Sequence, residues 1–231
     1  YIVSKSENDS FYMIGGLLVA KAKQQNYLHG AAIMTAGVII MKILGALYKI
    51  PLGNMLGDDG YGLFLQAYYV YSLFLTLATA GFPVALSRMI SAAQTRGLQM
   101  QARRTYRVAW WTFFVLGAVC STVMFVFPDW LANTLINSPD AAFSIQALAP
   151  AVLLCCITAT YRGLTQGYGN MTPTTISQIL EVLAKVAAGL ALAAYLIKAG
   201  YDKPVAVAGA IFGVTVGSLA ALLYMLIYKM R

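Results

Sequence analysis

Charge is what this sequence has least of. Only 10% of its 231 residues are Asp, Glu, Lys or Arg, against about 25% in soluble domains. Such a chain has too little polar surface to stay in water, which excludes an ordinary soluble enzyme. Histidine occurs once, as His29, and cysteine three times. With no carboxylate at ligand spacing from these residues, no metal centre is expected, and no cofactor. Cys120, Cys155 and Cys156 lie inside apolar runs, where a buried thiol behaves as a small apolar group. The formal net charge of +8 comes from basic residues scattered between apolar runs rather than gathered into a groove, which excludes a nucleic-acid binder. What remains is apolar: 60% hydrophobic residues and a mean hydropathy of +0.70. The chain reads as an all-α membrane protein.

A membrane-crossing helix needs about 20 mainly apolar residues, because the hydrocarbon core is about 30 Å thick and each residue rises 1.5 Å. Six runs qualify, at residues 30–56, 61–92, 106–127, 142–168, 173–198 and 204–228. Basic residues are retained in the cytoplasm, and they collect on one side of this plan. Lys21 and Lys23 precede the first run, Arg96, Arg103, Arg104 and Arg107 join the second to the third, Arg162 closes the fourth, and Lys229 and Arg231 end the sixth. Asp58, Asp59, Asp129 and Asp140 fall on the other side, as do Lys198, Asp202 and Lys203. Both termini are expected in the cytoplasm. Residues 1–29 are expected to form a cytoplasmic or interfacial extension, because the apolar stretch 11–20 is too short to cross and the order of charges is not that of a signal peptide. Residues 30–231 are expected to form a six-helix transmembrane lobe. The absence of an initiating Met suggests a fragment.

Gly209, Gly213 and Gly217 recur every four residues in the last run, as do Gly163 and Gly167 at the end of the fourth. This spacing lets a neighbouring helix approach closely, and packing is the expected role. The run Tyr68, Tyr69, Tyr71 and Phe74 is read as core or lipid-facing rather than as a sugar platform.

The charges inside the runs are harder to account for. Lys42 lies about 18 Å along the first run, near mid-depth, and Lys49 follows on nearly the same face. Each ionised residue at a helix centre costs about 2.5–3.5 kcal/mol. Lys42 is therefore expected to meet a hydrated cavity, a carboxylate or an anionic ligand. Glu181 and Lys185 stand four apart in the fifth run, in the order that favours a helical ion pair, and Lys185 reaches a depth similar to that of Lys42. One outcome is a structural Glu181–Lys185 pair completed by Lys42; the other is an anion-binding cavity lined by Lys42, Lys49 and Lys185. Arg88 and Arg162, near the cytoplasmic ends of the second and fourth runs, serve either charge retention or an entrance that captures phosphate oxygens. Gly45 with Pro51, and Gly81 with Pro83, are expected to break their helices. Broken helices beside intramembrane charges point to a transport pathway.

The stretch from residue 28 to 92 contains Lys42-Ile-Leu-Gly-Ala-Leu-Tyr-Lys-Ile-Pro-Leu52, then Leu56-Gly-Asp-Asp-Gly-Tyr-Gly62, and Leu75-Thr-Leu-Ala-Thr-Ala-Gly-Phe-Pro-Val-Ala-Leu-Ser-Arg88. It closely resembles the opening of the stage V sporulation protein B group of polysaccharide-biosynthesis proteins. That group lies within the superfamily of multidrug, oligosaccharidyl-lipid and polysaccharide exporters, which includes lipid II flippases. The resemblance is strong over residues 28–92, weaker but collinear to the end, and absent from residues 1–20. It implies two six-helix lobes around a cationic cavity in the bacterial cytoplasmic membrane. Undecaprenyl-diphosphate-linked saccharides would cross by alternating access, with no bond made or broken and no enzyme activity. Lys42 and Lys49 match basic residues of the family's first helix, and Arg88 matches a Lys or Arg that ends its second. Tyr69 departs from the family, where Pro is frequent. The chain also stops after one lobe, so its expected partners are the saccharide lipid, membrane lipids, and a second lobe or another copy of the chain.

On this reading Lys42, Lys49 and Lys185 attract the diphosphate, Arg88 and Arg162 receive it, and Glu181 holds Lys185 or acts in coupling. Three alternatives stand beside it. A cation-coupled multidrug exporter would want more acids than Glu181. A polyprenyl-phosphate enzyme would hold Mg²⁺ on Asp58 and Asp59, which read equally well as a turn. A non-transporting assembly partner in cell-envelope synthesis would use the glycine face.

Overall fold

A computed structural model of the chain describes residues 27–79 and 81–230. The proposed extension therefore lies outside the described residues up to residue 26, and the described residues from Tyr27 onward are helical. Among the described residues the regular structure is helical throughout: α1 (Tyr27–Thr79), α2 (Phe82–Thr95), α3 (Gln99–Val126), α4 (Ala142–Gly167), α5 (Thr172–Lys198) and α6 (Lys203–Met230). The connection from α3 to α4 holds a helical turn at Pro128–Leu131, a π-turn at Ala132–Ile136 and a 3₁₀ turn at Pro139–Ala141. Five segments are long and apolar enough to cross a membrane: Gly30–Thr95, Gln99–Val126, Pro139–Gly167, Thr172–Lys198 and Lys203–Met230. The chain is a multi-pass, all-α membrane bundle.

The first two expected runs are fused within one of these five, and the reason is a single residue. Gly57, at φ 70° and ψ 177°, is the only non-helical residue inside α1. That conformation is essentially confined to glycine, so one residue does the work of the turn read from Leu56 to Gly60. The 66 residues of Gly30–Thr95 would measure about 100 Å as straight helix, three times the hydrocarbon core. Contacts along the bundle show the chain doubling back instead. Gly37 packs directly on Thr175, near the start of α5; Tyr48 reaches Gly189, near its middle; and Gly60 meets Val207, at the start of α6. Beyond Gly57 the order reverses, with Tyr71 bonded to Cys155 in mid-α4 and Leu86 and Ile90 packed on Gly163 and Gly167 at the end of α4.

Gly45 and Pro51 do not break α1, contrary to expectation, since helical backbone continues through both. Proline removes only one ladder bond, and helix on both sides carries the chain past it. Gly81 does break the second arm, at φ 71°, and Pro83 then sits in the first turn of α2, where a missing N–H is harmless.

The two ends of the bundle differ in charge. Arg96, Arg103, Arg104, Arg107 and Lys229 lie at the end where α2 meets α3 and α6 finishes, while Asp58, Asp59, Asp129, Asp140 and Asp202 lie at the other. At that acidic end Asp59 faces Lys203 at 3.7 Å, both exposed. The core holds the fully buried Leu52, Met124, Ile145, Leu148, Val152 and Ile211. Its closest packing is α5 against α6, where Gly213 lies on Gly189 and Gly217 on the Glu181 carbonyl. The glycine spacing thus serves packing, as read from sequence. By contrast α4 and α5, although consecutive, touch little, and polar side chains span the space between them.

Candidate functional site

That polar seam contains two of the charged residues singled out from sequence, Arg162 and Glu181. From the basic end inward, Thr165 of α4 pairs with Thr174 of α5 at 3.2 Å. Arg162 then donates through Nε to Ser177 Oγ at 2.9 Å and through Nη2 to Glu181 Oε2 at 2.7 Å. Ser177 Oγ in turn donates a hydrogen bond to the Thr174 carbonyl at 2.7 Å, which fixes the oxygen that Arg162 uses. Deeper still, the Cys155 thiol stands 3.9 Å from Glu181 Oε1 and 3.3 Å from both Tyr71 Oη and Ser218 Oγ. Tyr68 stacks on Phe64 and tilts against Tyr71, so an aromatic wall closes one side.

The arrangement corrects two expectations. Glu181 is ion-paired with Arg162 and not with Lys185. Arg162 is not an open receptor at a mouth: its side chain is 17% exposed, Glu181's is 23%, and the guanidinium is already committed to two partners. A charged pair with short, charge-assisted bonds outcompetes a looser neighbour on the same helix.

Lys185 is half-buried and lies within electrostatic reach of both Glu181 and Lys49. Lys42 and Lys49 are exposed, on a strip of α1 shared with Thr35 and Ala46. The buried Gly37, Tyr48 and Leu52 lie on another face of the helix, and the exposed Ile39, Ile43, Leu47 and Ile50 on a third. Because Gly37 matches Thr175 in level and Tyr48 matches Gly189, Lys185 falls between the levels of Lys42 and Lys49. Among the described residues none of the three lysines has a carboxylate within ion-pair distance. Arg88 stands apart: it is exposed on α2, on the side away from the buried Leu86 and Ile90, and is not brought against the lysines.

Sequence reasoning missed Ser177, Cys155, Tyr71 and Ser218 as polar members of the seam. A signal for Ser177 was present, since Ser177, Glu181 and Lys185 repeat every four residues along one stripe of α5. Cys155 was read as a small apolar group and Tyr71 as core or lipid-facing, Ser218 was not singled out, and only the tertiary fold brings them together. Asp58 and Asp59 sit at the kink, remote from the seam, with Asp59 facing Lys203. At the basic end Lys229 lies over the rings of Tyr161 and Tyr106, 5.2 and 5.4 Å from their centroids. These cation–π contacts tie the end of α6 to α3 and α4, and Tyr161 and Lys229 also line, with Asn170 and Tyr228, a partly open cavity of about 60 Å³.

Comparison with known proteins places this geometry. The profile of a family described as polysaccharide biosynthesis protein matches residues 27–231. Among similar proteins of Bacillus subtilis, stage V sporulation protein B is 28% identical over 204 residues, covering 88% of this chain and 39% of that protein. Lipid II flippase MurJ is 28% identical over 210 residues, covering 87% and 39%. The uncharacterized membrane protein YabM is 30% identical over 194 residues, covering 84% and 36%. No solved structure matches. The chain thus spans about two fifths of the length of these relatives. With the family match running over nearly all of its described residues, the chain belongs to the polysaccharide biosynthesis protein family.

Proposed function

We propose that this chain is one six-crossing lobe of a flippase that carries a lipid-linked, diphosphate-bearing saccharide across the bacterial cytoplasmic membrane by alternating access. The basic end faces the cytoplasm, the acidic end the outside, and the fold at Gly57 separates the first two crossings. The membrane potential or an ion gradient drives the cycle; one elementary charge crossing 100 mV supplies about 2.3 kcal/mol. The names of the two relatives, a lipid II flippase and a sporulation protein, support the substrate class. No covalent step is needed, so the lobe is not an enzyme.

One observation carries the reading: α1 packs alongside α5 so that Lys185 falls between the levels of Lys42 and Lys49 at membrane depth, and the nearby carboxylate is taken by Arg162. Two ammonium groups in a bilayer, each costing about 2.5–3.5 kcal/mol, repel each other unless an anion joins them. A diphosphate supplies that anion, with Lys42 a further two turns toward the basic end and Arg88 at that end to guide its approach. A cationic drug would find Glu181, the one intramembrane acid among the described residues, already paired.

The test is translocation of a fluorescent lipid-linked diphosphate saccharide in vesicles holding the full-length gene product. One ammonium 5–10 Å from a phosphate contributes about 1.7–3.3 kcal/mol at an effective dielectric of 20. Lys49→Gln and Lys185→Gln should each therefore slow translocation about tenfold or more. Unchanged rates in both variants would overturn the proposal.

A further inference from the structure

We infer that Arg162 is a positioning residue that sets the net charge of the anion site: by holding Glu181 it keeps Lys185 from being neutralised. The inference rests on the function proposed above. Glu181 and Lys185 stand four residues apart on α5, acid first, the arrangement in which a helix forms an ion pair unaided. Left to themselves they would pair, and the diphosphate would meet one fewer positive charge. Arg162 prevents this from the neighbouring helix. Its Nη2 holds Glu181 Oε2 at 2.7 Å while its Nε is seated on Ser177 Oγ at 2.9 Å, and Ser177 is itself fixed by the Thr174 carbonyl. The planar guanidinium suits this two-point grip; a lysine would offer a single ammonium. The other carboxylate oxygen faces the Cys155 thiol, so both oxygens of Glu181 are engaged by side chains of α4, and Lys185, although near, forms no ion pair with it.

The charge arithmetic makes the role separable from direct contact with the ligand. Arg162, Glu181, Lys185 and Lys49 sum to a formal charge of +2. Arg162→Gln lowers the sum to +1 and frees Glu181 to turn to Lys185. Glu181→Gln raises it to +3. The double variant Arg162→Gln with Glu181→Gln returns it to +2, with Lys185 unpaired as in the unaltered protein. If Arg162 instead contacted the ligand or merely braced the helices, Glu181→Gln would strengthen binding by the same factor with or without Arg162→Gln; if Arg162 holds Glu181 off Lys185, the gain is larger in the Arg162→Gln background, where Glu181 is free to neutralise Lys185.

The experiment measures the affinity of the full-length gene product in nanodiscs for undecaprenyl diphosphate. Arg162→Gln should weaken binding about tenfold, by the charge removed, and the double variant should recover most of that loss. A gain from Glu181→Gln that is no larger in the Arg162→Gln background than in the unaltered protein overturns the inference. Leaving one half-buried charge unpaired is destabilising. If Arg162→Gln does not fold, Glu181→Gln decides: it should bind several-fold more tightly, and an affinity at or below that of the unaltered protein overturns the inference. Lys49→Gln and Lys185→Gln are measured alongside. If neither weakens binding, the proposed function itself fails and this inference with it; if both do and the double variant is not rescued, only the role of Arg162 is wrong.

Discussion

Replacing Gly213 by Ala adds one methyl group at a backbone-to-backbone contact of α5 and α6. A Cβ at that position would stand 2.5 Å from the Gly189 nitrogen, 2.6 Å from its Cα and 2.9 Å from the Lys185 carbonyl oxygen. All three are backbone atoms of α5 and cannot rotate away, so α5 and α6 must separate. Overpacking of this kind costs about 1–3 kcal/mol. Exchanging a helical Gly for Ala gains about 1 kcal/mol in propensity, which hides part of the effect. Gly45→Ala is the matched control: it is also helical, and nothing lies within 4 Å of its added Cβ. The propensity gain then cancels between the two variants, and their difference isolates the overpacking. Thermal denaturation in one detergent, followed by intrinsic Trp fluorescence, should place Gly213→Ala several degrees below Gly45→Ala. Equal midpoints would show that the α5–α6 contact is not as close as described, and would also undermine the placement of Glu181 and Lys185, which share that contact.

Gly57→Val should destabilise the protein by about 1–3 kcal/mol, because a β-branched residue cannot hold the fold-back conformation; a melting curve superimposable on the parent's would argue against a kink at this residue. For orientation, a single cysteine placed at Asp58 or at Arg104 in a cysteine-free background should react with a membrane-impermeant maleimide from opposite sides of the cell membrane. Labelling of both from the same side would contradict the fold-back and the proposed topology.

Helix content and membrane crossing were legible because they depend on composition and run length, properties a sequence carries residue by residue. The packing role of Gly213 and Gly217 was legible for the same reason, since four-residue spacing maps onto one helix face. The seam was only partly so. Glu181 and Lys185 invite pairing on their own helix, and nothing local reveals that Arg162, nineteen positions away, approaches Glu181 more closely. Cys155 and Tyr71 illustrate the same limit: each reads as an apolar or core residue of its own run, and the hydrogen bond between them exists only because α1 folds back beside α4. Pro51 shows the opposite failure, a residue whose local rule, helix breaking, is overridden by the helix on either side.

Because the reversal at Gly57 is so short, the first bend at the acidic end exposes almost no flexible surface, and the segment from Pro128 to Ala141 is the longest link at that end. Epitope tags, spin labels or antibody-selected insertions should therefore be grafted near Asn137, already in a left-handed turn at φ 52°. The same cargo inserted between Gly57 and Gly60 would pry apart two neighbouring passes of the chain.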